Sequence, residues 1–226
     1  MSTTSLYIGG CSGSSSPEFS RNEFGNMTTA FGIRTGTTGI FIDNGSGVSK
    51  VASHLIGQKV TEVYGLQTHF HGDHRQGIHG NKLLFMPGLV KAINAPRLCY
   101  RSFQEIIERD FSEETWPIAP RDIPILQFEP GTTLLCPLPV ETLLQNHPGG
   151  SVGYRVTTPD GDIIISTDAE PVGIHAEKMA EFISGSALLY IDIQYRQAEY
   201  DGTLGICGGP KMSRVGWGHG TPEMLF

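Results

Sequence analysis

The sequence predicts an α/β protein in which layered sheets carry helices on the outside. Three observations lead there: short β-branched and aromatic runs end in tight-turn residues, helical periodicity appears between them, and strands repeatedly run out into clusters of polar residues. The 29 glycines and 14 prolines follow no fixed period, which fits many tight turns and not a collagen-like or disordered chain. At 226 residues, 38% hydrophobic and 17% charged, the chain is long and apolar enough to bury one real core.

The elements follow in order. SLYIGG reads as a strand running into CSGSSSPEFSRNEFGN, a loop by composition that either connects at the surface or lines a site. TAFGIRT and TGIFIDNGSG form a hairpin whose second strand gives way to a turn at Asp43. GVSKVASHLIG sets Val48, Val51, Ala52 and Leu55 at helical spacing, leaving His54 on the exposed side. VTEVYGLQTH is a strand that delivers THFHGDH at its C-terminal end.

Further on, RSFQEIIERDF has a helical period, and IPILQFE and TTLLCPLPVETLL look like strands. SVGYRVTTPDGDIIISTDAE is a hairpin about a Pro-Asp-Gly-Asp turn, with Asp168 just past its second strand. HAEKMAEFI is a helix and ALLYIDIQY a buried strand. No repeat or linker divides the chain, so one domain over 1–226 is expected.

A net charge of −7 and a pI near 5.6 argue against a large basic face for nucleic acid, whose affinity rests on Lys and Arg neutralising phosphates. Cys11, Cys99, Cys136 and Cys207 lie far apart with no C-x-x-C pair and no secretory leader before them. Free thiols in a reducing cytoplasm follow as the expectation. No apolar stretch approaches the roughly 18 residues that would suggest a membrane span, so a soluble, cytoplasmic protein is expected.

Three of the eight histidines fall within LQTHFHGDHRQG, interleaved with an aspartate directly after a strand. In an extended segment residues two apart share a side, so His69 and His71 can aim both rings at one ion. Gly72 is expected to allow a sharp turn that brings round Asp73 and His74. Such mixed nitrogen and oxygen donors suit zinc, and iron or manganese by the same softness argument. The alternative is a polar loop whose histidines only form hydrogen bonds. A closed structural zinc site is disfavoured, because no cysteine lies near the cluster. Further ligands must come from elsewhere, and QNHPGGSVGYRV and ISTDAE offer His147 and Asp168 at the same end of one hairpin.

THFHGDH, NHPGGSVGYRV, STDAE and VGWGHGT, in this order, resemble the metallo-β-lactamase superfamily, and within it the branch of phosphodiesterases similar to ribonuclease Z. GGCSGSSSP, FGNMTTAFGI and GIFIDNGSGV resemble the N-terminal portion of that branch. The resemblance implies a four-layer αββα sandwich with a two-metal site at one edge. By matching motif, His69, His71 and His147 would hold one ion, Asp73 and His74 the other, and Asp168 would bridge them. Asp43 is implied as a supporting residue, or is an ordinary turn aspartate. Asp73, His219 and Asp192 make up the implied catalytic set, His219 protonating the leaving group and Asp192 orienting it. Gly220 stands where the family usually has serine.

Members of this branch continue through a helix and a strand that ends in a last histidine ligand, whereas this sequence stops at GTPEMLF. The expectation is therefore a domain lacking its C-terminal helix and last strand. Its second ion would be held by Asp73, His74 and Asp168 alone, or with His79 or His175 as a substitute. The expected reaction is hydrolysis of a phosphodiester by a hydroxide shared between two divalent ions, zinc first and manganese or iron next. With no basic arm, a small cyclic nucleotide fits better than transfer RNA. Arg34, Arg75 and Arg155 are candidates for phosphate contacts or simply surface charges. The alternatives are a ribonuclease Z-like tRNA 3′ endonuclease, a hydrolase of another ester, lactone or β-lactam, and a weakly active paralogue that acts by binding. The family's tendency to dimerise suggests a homodimer.

Overall fold

A computed structural model describes residues 3–14, 25–98, 101–116, 118 and 123–225. The chain forms two compact units, Met1–Phe128 and Glu129–Phe226, each built on one sheet. The α/β class expected from the sequence is borne out, with helices between the strands of two sheets. Most of the polar loop CSGSSSPEFSRNEFGN, together with Cys99, lies outside the described residues.

The first unit holds six strands in the order β1 to β6: Thr4–Gly10, Ala30–Thr35, Thr38–Ile42, Glu62–Leu66, Val90–Pro96 and Ile125–Phe128. The first two pairings are antiparallel and the other three parallel. The β2–β3 hairpin turns at Gly36 and Thr37, Gly36 supplying a positive φ of 61°. Helix α1, Val48–Gly57, buries Val48, Val51, Ala52 and Leu55, the four positions whose spacing predicted it. They pack with Ala30, Phe41 and Val63 into one core. His54 is half-buried, its ring stacked on Tyr7 at 4.3 Å, so the helix face expected to be exposed is partly covered. Helix α2, Phe103–Asp110, opens on a capping box between Ser102 and Glu105 and buries Phe103 and Ile106.

The second unit holds β7 to β11, Thr133–Cys136, Leu138–Gln145, Ser151–Thr158, Gly161–Ser166 and Leu188–Ile191, in one sheet in reverse spatial order. Strands β7 to β10 meander antiparallel, and β11 runs parallel to β10. A parallel neighbour needs a crossover, which helix α3, Ile174–Ile183, provides. Strand β11 corrects an expectation: Leu188 and Leu189 are 40% and 38% exposed. Its single sheet neighbour is β10, so it is an edge strand, and an apolar run alone does not separate an edge from an interior position. The short helix α4, Gln197–Tyr200, buries Glu199 and Tyr200. Among the described residues no helix is long and apolar enough to cross a membrane, and Cys11, Cys136 and Cys207 are free thiols.

Candidate metal centre

In the first unit the parallel pairing of β3 with β4 aligns Ile42 with Leu66, so the polar residues following both strands emerge side by side. Asp43 donates its backbone N–H to Leu66 and takes up a left-handed φ of 62°. That conformation, which Asp tolerates better than most residues, turns its carboxylate back toward the end of β4. There Oδ1 accepts from the Thr68 N–H at 2.7 Å and from Gln67 Nε2 at 3.0 Å. Oδ2 accepts from the Thr68 hydroxyl and from His74 Nδ1, both at 2.7 Å. Burial pushes the Asp43 carboxyl above its usual range, opposed by His74 and by the Thr68 hydrogen bonds.

This arrangement orients two imidazoles. A carboxylate only accepts, so Nδ1 of His74 carries the proton and Nε2 presents its lone pair. Because Thr68 gives its hydroxyl proton to Asp43, its oxygen is left to accept from His69 Nδ1 at 3.1 Å, and His69 likewise presents Nε2. His71 follows on extended backbone, φ −64° and ψ 158°, with its ring 4.6 Å from that of His69. The next turn, Gly72–His74, is a single tight helical turn that brings Asp73 Oδ2 to 3.8 Å from His74 Nε2. Gly72 corrects the sequence reading: its φ is ordinary and a Cβ there would meet nothing within 4 Å, so the turn does not need glycine.

In the second unit β9 and β10 are antiparallel neighbours, so the residues before β9 and after β10 share one sheet end. His147 and Asp168 are those residues, with Nε2 and Oδ2 3.6 Å apart. Nδ1 of His147 donates to the Gly218 carbonyl at 2.9 Å, which again leaves Nε2 as the atom that could bind an ion. His219 points its Nε2 to within 3.9 Å of the same Asp168 oxygen and is held through Nδ1 by Asp192 at 2.6 Å. Asp168, Asp192 and His219 place one ligand atom each within 4.8 Å of one another. Burial pushes the Asp192 carboxyl up, while the hydrogen bond and charge of His219 oppose it.

The donor sets fit divalent ions. Two ligands on one tetrahedral ion with bonds of about 2.1 Å lie about 3.4 Å apart. The His74–Asp73 and His147–Asp168 separations of 3.8 and 3.6 Å are near that value and too long for hydrogen bonds. Asp192 differs, since its short bond to His219 Nδ1 makes it the orienting partner of that ring.

Other expectations resolve differently. Arg75 pairs with Asp110 and donates to the Phe70 carbonyl, and Arg155 pairs with Asp162 and donates to the carbonyls of Phe182 and Ser184. Both guanidiniums are thus committed to structure, and Arg34 donates to the Gly36 carbonyl in its own hairpin. His79 places Nε2 2.6 Å from the Asp110 carbonyl and stacks on Trp116, so it faces another part of its unit. His175, at the start of α3, is outside the group around Asp168.

The sequence reading missed the buried polar residues behind the candidate ligands. Gln67 also bonds the carbonyls of His69 and His74, Asn44 bonds Gln67, and Asn81 bonds Asn44. Glu170, 2% exposed, accepts from the N–H groups of Gly216 and Gly218. A Gln directly after an apolar strand is the one sequence signal that pointed to this layer.

No family model matches the chain. Among curated proteins it is similar to a ribonuclease Z from Nocardia farcinica (strain IFM 10152), 28% identical over 167 residues, 70% of this chain and 52% of that protein. The chain thus spans about half the length of the curated relative it matches. Among solved structures, the metallo-β-lactamase fold protein YhfI from Bacillus subtilis superposes with a TM-score of 0.64 over 97% of this chain and 78% of its own, at 14% identity. Zn(2+)-bound PqqB from Methylobacterium extorquens gives 0.64 over 99% and 84%, at 13% identity. These two likenesses establish a metallo-β-lactamase fold for the chain, which in sequence is similar to a ribonuclease Z.

Proposed function

We propose that this chain is a metal-dependent hydrolase that cleaves a phosphodiester in a small substrate, a cyclic nucleotide first among them. In this reading His69, His71 and His147 hold one divalent ion, Asp73 and His74 hold a second, and Asp168 serves both. Zinc suits these donors best, with manganese or iron as alternatives. The observation that carries the reading is the common orientation of the rings: His74 and His147 are each tied back through Nδ1, leaving Nε2 beside an aspartate oxygen at 3.8 and 3.6 Å.

When bound, such a pair of ions would make a nucleophile from water near neutral pH and polarise the phosphoryl oxygens. The chain's own residues do the rest. His219 releases a proton from Nε2 to the departing oxygen, while Asp192 on Nδ1 fixes the ring and stabilises its charged form. Asp168 keeps that imidazole next to the ligand set, 3.9 Å from its oxygen. The net charge of −7 over this sequence favours a small anionic substrate over a long polyanion.

A second reading, cleavage of precursor transfer RNA at its 3′ side, is supported by the likeness to ribonuclease Z. One experiment separates the readings: metal content together with turnover of 2′,3′- and 3′,5′-cyclic nucleotides, bis(p-nitrophenyl) phosphate and precursor tRNA, beside a His71→Ala control. Two equivalents of metal and turnover of a cyclic nucleotide that is lost in the control support the first reading. Cleavage of precursor tRNA alone supports the second. One equivalent of metal or none, with no turnover above the control, sinks both and leaves a chain that acts by binding.

A further inference from the structure

We propose that Glu170 is a positioning residue, an internal carboxylate latch that fixes the Gly216–Gly218 loop and through it both His147 and His219; this rests on the roles assigned above to those two histidines. Glu170 touches neither ring. Its Oε1 accepts from the Gly216 N–H at 2.8 Å and from the Tyr200 hydroxyl, and its Oε2 accepts from the Gly218 N–H at 3.0 Å. The carbonyl of the latched Gly218 accepts from His147 Nδ1, and the next residue is His219.

Glu170 also fixes the chain just before His147. Its N–H donates to the Asn146 carbonyl at 2.9 Å, and Asn146 Nδ2 donates to the Glu170 carbonyl at 3.1 Å. One residue is therefore bonded to the chain neighbour before each histidine, Asn146 before His147 and Gly218 before His219.

The loop is shaped for this ligand. Gly216 and Gly218 have φ of +82° and +85°, which turns alternate N–H groups inward to form a concavity that binds anions. A carboxylate can accept from all three donors, whereas an amide would set its NH2 against a backbone N–H. Burying a carboxylate is unfavourable unless it is fully hydrogen-bonded, and this one is met by charge-assisted bonds. A core with only packing to satisfy would not need the charge.

The test uses Trp217, which lies between the two latched glycines. With Trp116 changed to Phe it is the sole tryptophan of the chain. In that background Glu170→Gln is expected to increase acrylamide quenching of Trp217 about twofold while the protein stays folded. On the metal-loaded protein, kcat for a diester with an alkyl leaving group should fall roughly 10- to 100-fold at nearly constant KM. The loss should be smaller for bis(p-nitrophenyl) phosphate, whose leaving group needs no proton. Combined with His219→Ala, it should cost clearly less than the product of the two separate losses, the remainder acting through His147. Unchanged quenching, or rate losses equal for both leaving groups and multiplicative with His219→Ala, would overturn the latch.

If the parent protein cleaves no diester, the hydrolase reading falls while the fluorescence still decides the latch. Should Glu170→Gln not fold, amide exchange in the parent chain takes its place. The Gly216 and Gly218 amides should then exchange at least about 100-fold slower than that of exposed Lys211. Equal rates would overturn the proposal.

Discussion

His74 donates from Nδ1 to Oδ2 of Asp43 across 2.7 Å, with both side chains wholly shielded from solvent. Asp43 also takes the Thr68 hydroxyl that receives His69, so one carboxylate orients two proposed ligands. Asp43→Ala should weaken zinc affinity roughly 10- to 100-fold. It should also destabilise the protein by about 3 kcal/mol, because it strands buried donors of Gln67 and Thr68. Asp43→Asn keeps a residue that tolerates the left-handed φ and retains one acceptor, so it should lose zinc affinity with a smaller loss of stability than Asp43→Ala. Zinc titration calorimetry and urea unfolding check the pair; equal stability losses would show that the full set of carboxylate acceptors, and not tolerance of the left-handed φ, decides stability at this position.

The Asp192–His219 pair predicts a dependence on leaving group. His219→Ala should slow a diester with an alkoxide leaving group by about 10²- to 10⁴-fold and affect a p-nitrophenolate leaving group far less. Asp192→Asn should follow the same pattern more weakly, because the ring stays but loses its charged partner. Steady-state kinetics on matched diesters measure both, and identical losses on the two substrates would remove His219 from proton donation.

Where periodicity acts alone, the sequence was readable. The four buried residues of α1, the β9–β10 hairpin with its Pro-Asp-Gly-Asp turn, and the strand that delivers His69 all follow from local pattern. The histidine cluster stood out for the same reason, since its donors are neighbours in the chain. The joining of His147 to Asp168 was legible as well, because an antiparallel hairpin brings its outer ends together. What stayed hidden depends on partners distant in sequence. Glu170 is one charged residue after an apolar strand, and only the folded loop 46 and 48 residues away shows what it binds. Arg75 and Arg155 looked like candidates for phosphate until Asp110 and Asp162 accounted for them. The exposure of β11 depends on which strand lies at the sheet edge, and no local period records that.

Two glycines of the site motifs should respond in opposite ways. Gly218 has a φ of +85°, and a Cβ there would fall 2.2 Å from His147 Nδ1 and 2.4 Å from Pro148 Cδ. Gly218→Ala should therefore destabilise by about 1–3 kcal/mol and lower the bound metal, because it displaces His147 from its carbonyl partner. Gly72, inside the histidine cluster itself, has an ordinary φ and open space around it. Gly72→Ala should lie within about 0.5 kcal/mol of the parent and keep its metal. Thermal melts and metal analysis of both variants decide the matter; a Gly72→Ala protein that loses its metal would mean the turn needs a freedom its geometry does not reveal.

Cys136 gives a pH prediction remote from the metal ligands. At the end of β7 and 2% exposed, its thiol is pushed by burial from 9.0 up to about 11. A folded-state value above the unfolded one favours the protonated form in the native protein. Its contribution to stability is then complete below about pH 9 and lost as pH rises toward 11, where the unfolded chain has already released its proton. The shift corresponds to a loss on the order of 2–3 kcal/mol across that window. Urea unfolding at several pH values between 8 and 11 should show a steeper decline for the parent than for Cys136→Ala, which has no thiol there to titrate. In a Cys99→Ser background at pH 8, the exposed Cys11 and Cys207 should react quickly with a disulfide reagent while Cys136 reacts only on unfolding. Parallel stability slopes in the parent and Cys136→Ala, or three equally fast thiols, would show that the end of β7 is open to water.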